Sequence, residues 1–259
     1  MLAAAEPTLP QPIAAVLARC AALDDELEVH HGVSGPGWIG ARALLRPGSA
    51  LRSRLDDLHR RWQTPDRRVD ATFAMGAYAW FLGIAAIGPY LVAGVVPDVG
   101  PDNVAVRMDD DGSLDAIALR RLDAVGHAPA ALHLALHDHL ALVVDRLRDE
   151  TRIGRRALWA VAADSLAAVF LFAGQRLGDE ASARLAVVDV LGDRSSQLHW
   201  RGSFVEVAHG DRQATFQCRE SCCLSYRLAD GERCDSCPLR DADDRLVRFT
   251  STLDASRLD

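Results

Sequence analysis

The chain has 259 residues, which is enough for one large domain with a full apolar core. Apolar residues make up 49% and charged residues 25%, a globular composition that excludes a chain disordered throughout. The formal net charge is −7, none of the basic residues is Lys, and no basic run occurs, so the composition argues against nucleic acid as a partner.

The first 37 residues predict an N-terminal helix followed by a glycine-rich loop. Residues 12–28 carry apolar side chains at helical spacing on one stripe, which consists of Ile13, Val16, Leu17, Cys20, Leu23 and Leu27. No positive segment precedes the first apolar residues, and Glu6 and three prolines interrupt them. We therefore expect no signal peptide and a cytoplasmic, reducing location.

A second helix is predicted over residues 49–62, and an uncharged apolar stretch follows over residues 71–96. That stretch is long enough to span a bilayer. Gly88-Pro89 predicts a helix break near Ile87, which would leave two shorter segments. We therefore favour a buried helical hairpin over a membrane span, and a peripheral membrane contact stays open.

The rest of the chain carries two hairpins and three helices. Residues 104–119 predict a hairpin around an Asp-Gly turn. Three helices are expected at about 129–148, 155–177 and 179–191, and the second hairpin is expected at about 203–218. Strands do not alternate with helices, and no G-x-G-x-x-G or Walker motif occurs, so we expect no NAD or ATP site. The predicted class is α+β and mainly α: a helical body with small antiparallel β-hairpins and a C-terminal cysteine-rich loop.

Four of the six cysteines lie in one short segment with the spacing C-C-x10-C-x2-C; they are Cys222, Cys223, Cys234 and Cys237. Four thiolates in one loop bind a soft metal or an iron–sulfur cluster. A structural zinc site pairs two C-x(2–4)-C turns, and only the second half of the motif provides one. Adjacent cysteines in an extended segment point to opposite faces, which suits the two metals of a [2Fe–2S] cluster better. Zinc stays open, whereas a reducing compartment disfavours a disulfide.

The segment CCLSYRLADGERCDSCPL resembles the C-terminal motif of the FhuF-like ferric-siderophore reductases. The matching positions are Cys222, Cys223, Tyr226, Arg227, Leu228, Gly231, Cys234, Cys237, Pro238 and Leu239. Upstream, DRRVDATFAMGAYAWFL, VPDVGPDNVAVRMDDDG and TRIGRRALWAVAADSL are similar to the body of that family. One departure is LWAVAAD, because many relatives carry Gly-Asn after the Trp.

The resemblance runs from about residue 38 to residue 240 and suggests four regions. They are an N-terminal helix and loop (1–37), a mainly helical FhuF-like body (38–200), a hairpin with the cluster-binding segment (201–240) and a polar C-terminal tail (241–259). The hairpin and its cysteines are expected to form one unit with the body.

The resemblance implies a [2Fe–2S] cluster on the four motif cysteines that passes one electron at a time to Fe(III) in a hydroxamate-type siderophore. An external donor, a ferredoxin or a flavoprotein reductase, would supply the electrons, because the chain has no nucleotide motif. Residues that could tune the cluster or contact the substrate are Arg219, Tyr226, Arg227 and Arg233. Two alternatives stay open: a zinc-stapled siderophore-binding module, and an iron–sulfur protein for electron transfer or sensing.

A second candidate for metal binding is weaker. His133 and His137 stand at i and i+4 on a predicted helix, a spacing that can chelate a metal. No H-E-x-x-H motif accompanies them. We therefore favour a partly exposed helix face for these histidines.

Overall fold

A computed structural model describes residues 12–33, 35–48, 50–64, 66–109 and 112–255. The helices are α1 (Ile13–Leu23), α2 (Ala41–Leu44), α3 (Ala50–Trp62), α4 (Arg67–Ala93), α5 (Pro129–Thr151), α6 (Arg155–Leu177), α7 (Glu180–Leu191) and α8 (Ala242–Ala255). The strands are β1 (His30–His31), β2 (Trp38–Gly40), β3 (Val96–Pro97), β4 (Val104–Met108), β5 (Leu114–Leu119), β6 (Ala124–Gly126), β7 (Ser203–His209) and β8 (Arg212–Cys218). The predicted α+β, mainly α class is confirmed.

Helix α4 runs unbroken across Pro89, so the predicted break near Ile87 and the helical hairpin are wrong. Proline removes one backbone bond to the carbonyl four residues earlier, but here the loss falls close to the end of the helix. Residues 82–89 are all buried, and their apolar packing stabilises the continuous helix. The helix ends instead at Gly94, whose φ of 64° forms a left-handed C-cap.

Helices α4 and α6 form the centre of the body and approach each other closely at Gly83. A Cβ atom there would lie only 3.0 Å from Leu166 Cδ2 and 3.1 Å from Val169 Cγ2, which explains the glycine. Helices α1, α3 and α5 also pack on α4, and α7 packs on α6. Both central helices are long and apolar enough to cross a membrane, but 67% and 72% of their most apolar windows are buried inside the protein.

A four-stranded sheet with the order β1-β5-β4-β2 covers another side of α4. Strands β4 and β5 form the antiparallel hairpin predicted over residues 104–119, with Val106 opposite Ile117. The first two residues of its predicted turn, Asp110 and Asp111, lie outside the described ranges. Strand β1 pairs with β5 in parallel, a pairing that adds to the predicted antiparallel hairpins. The segment after α1 places β1 beside the free edge of β5. No turn motif in the sequence predicts this pairing.

The N-terminal helix is shorter than predicted. Its apolar stripe buries Cys20 in the core as expected, but Leu23 is 39% exposed because the helix ends there. Asp24 then caps a 3₁₀ turn by accepting the N–H of Glu26 at 2.8 Å. Leu27, within that turn, is buried.

The second predicted hairpin is present as β7 and β8, and helix α8 packs across it. Residues predicted as a polar tail thus contain an amphipathic helix. Phe249 and Leu253, four residues apart, bury one face of α8 against Val207. Phe249 also stacks on Phe216 with ring centroids 4.6 Å apart. The cysteine segment lies between this hairpin and α8, so both of its ends are fixed.

Candidate metal centre

The vicinal cysteine pair lies where the segment after β8 meets the start of helix α4. The hydroxyl of Thr72 lies 2.7 Å from the carbonyl oxygen of Cys223 and 2.9 Å from that of Val69, and donates toward both. Thr72 is buried, so this bond ties the pair to α4, one of the two central helices of the body. Cys222 and Cys223 are themselves partly exposed, which places the centre near the surface.

A left-handed residue turns the chain directly after the pair. Leu224 has a φ of 64°, which is rare outside glycine and is typical of sites where surrounding contacts hold the backbone. In this conformation the N–H of Leu224 points to the sulfur of Cys222 at 3.4 Å. A 3₁₀ turn over Ser225–Arg227 follows and reverses the chain toward the second pair of cysteines. In a regular extended segment the side chains of Cys222 and Cys223 would point to opposite faces. The turn at Leu224 departs from that geometry.

The four thiols lie in two pairs. Cys223 is hydrogen-bonded to Cys234, and Cys222 to Cys237. Two thiol pairs supply the number of sulfur ligands that a binuclear cluster takes.

The hydrogen bond between Cys223 and Cys234 shifts the pKa values of the two thiols in opposite directions. The hydrogen bond from Cys234 lowers the pKa of Cys223 to about 4, with Ser225 and Arg219 contributing and burial opposing. The same bond, in which Cys234 is the donor, raises the pKa of Cys234, and burial adds to the effect. Burial also raises the pKa of Cys222. The site thus favours a thiolate, which is the form that binds metal, at Cys223 first.

Arg219 is the charged side chain closest to this thiolate among the residues predicted to tune the site. Its side chain is only 18% exposed, and it bonds to Cys223 and lies 3.6 Å from the carboxylate of Asp164. Burial acts to lower the pKa of Arg219, but the negative charges of Asp164 and Cys223 raise it. The guanidinium is therefore held as a fixed positive charge beside the sulfurs.

Asp164 of helix α6 anchors the chain just before the cysteines, and the sequence analysis missed this role. The buried carboxylate accepts the N–H groups of Glu220 at 3.1 Å and Ser221 at 2.8 Å, the hydroxyl of Ser221, and the indole N–H of Trp200 at 2.9 Å. A lone charge within an apolar helix was the available signal, because a buried carboxylate needs partners.

Two arginines, Arg240 and Arg245, contact the backbone of Cys234 and Cys237. The sequence analysis did not predict these contacts either. Arg240 donates to the carbonyl of Cys234 at 3.0 Å and to Asp244 at 2.6 Å. Arg245 donates to the carbonyl of Cys237 at 3.3 Å. Cys237 itself is buried, with 1% exposure. The C-terminal helix therefore positions the C-x2-C turn.

The other predicted site residues make contacts away from the sulfurs. Arg227 pairs with Asp66 and stacks over the ring of Tyr226, with the guanidinium carbon 5.8 Å from the ring centroid. Arg233 donates to the carbonyl of Leu239 at 2.9 Å. These contacts fix the loop from residue 225 to residue 233.

The histidine pair on α5 is engaged in packing. His133 contacts the carbonyl of Val190 at 2.7 Å and the hydroxyl of Ser196 at 2.9 Å, and His137 stacks on Trp159. The favoured interpretation as a partly exposed helix face agrees with these contacts.

A cavity of about 530 Å³ opens beside the cysteines, and Cys223, Arg219 and Thr72 form part of its wall. The remainder of the wall is mostly aliphatic and aromatic, from α3, α4, α6 and the β4–β5 hairpin. A molecule of moderate size in this cavity would lie against the thiol of Cys223.

A mainly helical body with a four-thiol loop fixed between a hairpin and a helix defines an iron–sulfur or metal–thiolate protein. Two family models match the chain: "FhuF 2Fe-2S C-terminal domain" over residues 219–239, and "Ferric iron reductase FhuF-like transporter" over residues 75–186. Together these segments make up just over half of the chain, which therefore belongs to the FhuF-like family. Among curated proteins, none matches the sequence closely enough to count as a relative.

The family match assigns a [2Fe–2S] cluster to this chain, and the residues present fit such a group. The four thiols of the motif would supply the four sulfur ligands that such a cluster takes. The N–H of Leu224 already bonds to one sulfur, as amides around such clusters do. Arg219 offsets part of the negative charge that four thiolates bring.

Proposed function

We propose that the protein reduces ferric siderophores in the cytoplasm, with Cys222, Cys223, Cys234 and Cys237 holding the cluster. The family model names a ferric iron reductase, and the cavity beside Cys223 gives a chelate room next to the sulfurs. This juxtaposition of cavity and cluster segment is the observation that carries the proposal. The cluster supplies one electron at a time to the Fe(III) of the substrate.

The proposed reaction requires only the transfer of one electron to the chelated Fe(III). One electron converts the chelated Fe(III) to Fe(II), and no bond of the organic chelator is broken. Hydroxamate oxygens are hard donors that hold Fe(III) far more tightly than Fe(II), so reduction weakens the chelate and frees the metal. The chain therefore needs to seat the chelate beside Cys223, and Arg219 provides a positive charge toward anionic oxygens there.

The electrons come from a separate redox protein, a ferredoxin or a flavoprotein reductase. Its docking surface is the basic recess at the start of α6, formed by Arg155, Arg156, His199 and Arg201. Glu220, two residues before Cys222, lines the same recess, so an acidic donor bound there lies close to the cluster. Arg155 pairs with Asp145 and Arg201 lies beside Glu220, so Arg156 is the arginine of the recess whose charge no ion pair among the described residues balances.

Metal analysis with a visible spectrum tests the cofactor, and a reduction assay tests the activity. The purified protein should contain about two irons per chain and be bleached by dithionite. Adding a ferric trihydroxamate with a ferrous trap should then give a coloured product at a rate that Cys223→Ser abolishes. An intact cluster without siderophore reduction would favour an electron-transfer or sensor protein, and a colourless zinc form would favour the binding module.

A further inference from the structure

The cavity beside Cys223 has one polar end and one long apolar wall. Its apolar side chains come from the five helices α2 to α6 and from the β4–β5 hairpin, and include Leu55, Leu58, Phe73, Trp80, Met108 and Val161. Its volume of about 530 Å³ is within the range of pockets that hold small organic ligands. Most of this wall is remote in sequence from the cysteines, so it is a feature of the body rather than of the cluster loop.

Several polar groups of the cavity lie near the cysteines, and most of them are already engaged. Asp164 is saturated by backbone and side-chain donors, and Gln217 donates to the carbonyl of Asp164 at 2.8 Å. Thr72 is bonded to the carbonyl of Cys223. At the opposite wall Arg54 lies 3.4 Å from Asp57. A wholly polar ligand would therefore find few partners along most of the cavity.

One donor in the wall has no partner. The indole Nε1–H of Trp62 is buried and makes no hydrogen bond within the described ranges. The nitrogen is closed off from the solvent-accessible space, so the Trp62 ring adds apolar surface to the wall and offers no ready hydrogen bond to a ligand. The cavity therefore suits a molecule that is apolar over most of its length.

We propose that the cavity binds an aliphatic arm of the ferric chelate, so that the preferred substrates are hydroxamates with extended hydrocarbon segments. This inference rests on the proposed function for the identity of the chelate. The arm lies along α3 and α4, and the ferric centre lies at the polar end beside Cys223 and Arg219. Selectivity among chelates thus comes from burial of apolar surface and not from charge.

Binding of redox-inert gallium chelates tests the proposal without electron transfer. Gallium tris(N-methylacetohydroxamate) and gallium tris(N-methylhexanohydroxamate) are titrated into the cluster-loaded protein by calorimetry. We expect the hexanoyl chelate to bind at least about tenfold more tightly, because each methylene that is buried strengthens binding about fourfold. Equal affinities for the two chelates, or no binding of either, would overturn the proposal.

Two variants that fill the cavity separate the pocket from general hydrophobic adsorption. Ala77 and Ala168 line the cavity and are half-buried, so Ala77→Leu and Ala168→Leu place carbon into its space. Each should remove the preference for the hexanoyl chelate, whereas Ala181→Leu on the exposed face of α7 should keep it. An unchanged visible spectrum shows that a variant is folded. A preference that persists in both cavity variants would refute the pocket.

The reduction assay then distinguishes this inference from the proposed function. If ferric chelates are not reduced but the gallium chelates still show the chain-length preference, the proposed activity fails and the cavity assignment stands. If ferric chelates are reduced without any such preference, the activity stands and the cavity assignment fails.

Discussion

Asp164 in helix α6 accepts hydrogen bonds from the backbone N–H and the hydroxyl of Ser221, the residue directly before Cys222. The carboxylate is 1% exposed, so these bonds form inside the protein and not at its surface. They connect the helical body to the cluster-binding segment at a point where the two are far apart in sequence. The position of the first two sulfurs therefore depends on α6.

We expect Asp164→Asn to destabilise the protein and to lower its iron content. The asparagine replaces one acceptor oxygen by a donor that faces other donors, and it removes the negative charge beside Arg219. The free energy of unfolding should fall by about 3 kcal/mol. Thermal unfolding and iron analysis check this, with Asp138→Asn on the exposed face of α5 as the matched control. An unchanged melting temperature and iron content would contradict the role of Asp164.

Gly231 lies in the turn that connects the adjacent cysteines, Cys222 and Cys223, to the C-x2-C segment that begins at Cys234. A Cβ atom at this position would overlap the backbone carbonyl of Ser225 and lie 2.9 Å from Leu228 Cβ. Gly231→Ala should therefore push the two halves of the motif apart and reduce iron binding severalfold while the helical body stays folded. Gly154→Ala is the control, because nothing lies within 4 Å of a Cβ there. Circular dichroism and iron analysis on both variants give the comparison.

We expect the positive charge of Arg219, which lies beside Cys223, to stabilise the reduced, more negative state of the cluster. Removing this charge in Arg219→Gln should lower the midpoint potential by on the order of 50 mV. Arg233→Gln serves as the control, since Arg233 is exposed and bonds to the carbonyl of Leu239. Spectroelectrochemical titration measures both potentials. Equal shifts in the two variants would show that Arg219 acts only through the net charge of the protein.

The sequence identified the elements of this fold better than their arrangement. Helix α6 was predicted with its observed bounds, because its apolar pattern is long and a Gly residue follows it. The break at Pro89 was predicted wrongly, because local proline chemistry is outweighed there by burial in the core. The parallel pairing of β1 with β5 carried no local signal at all.

At the site, the motif spacing predicted the four cysteines and the resemblance named their cofactor, but not what holds them. Thr72, Asp164 and Arg240 contact the cysteine segment from other parts of the chain. Such contacts depend on tertiary packing, which periodicity and spacing do not encode. The cavity wall is likewise assembled from separate helices, each of which alone predicts only a core-facing side.

A buried histidine should make stability depend on pH. His139 accepts the hydroxyl of Tyr78 at 2.8 Å and donates to the carbonyl of Val99, and burial lowers its pKa to about 4. Between about pH 6.5 and pH 4 the unfolded chain binds a proton that the folded chain does not, so stability falls as the pH falls, by up to about 3 kcal/mol. Burial raises the pKa values of Asp70 and Glu220, which partly offsets this loss.

The variant His139→Gln isolates this contribution, because glutamine can donate and accept but does not titrate in this range. The difference in melting temperature between pH 7.5 and pH 5 should be several degrees smaller in the variant than in the unchanged protein. Acid damage to the cluster affects both proteins equally and cancels in the comparison. Identical pH dependence in the two would exclude His139 as its source.

The basic recess at the start of α6 gives a prediction about the electron donor. Within the residues placed by the structure, Arg156 has no side-chain hydrogen bond or ion pair, and Arg201 lies beside Glu220. Reversing both charges, with Arg156→Glu and Arg201→Glu, should raise the KM for an acidic donor protein about tenfold at low salt and leave the KM for the ferric chelate unchanged. The difference should shrink as the ionic strength rises, because these charges are exposed to solvent. Arg120→Glu together with Arg148→Glu changes the net charge by the same amount at exposed positions outside the recess and is the control. An equal effect from it would show that the net charge, and not this recess, attracts the donor.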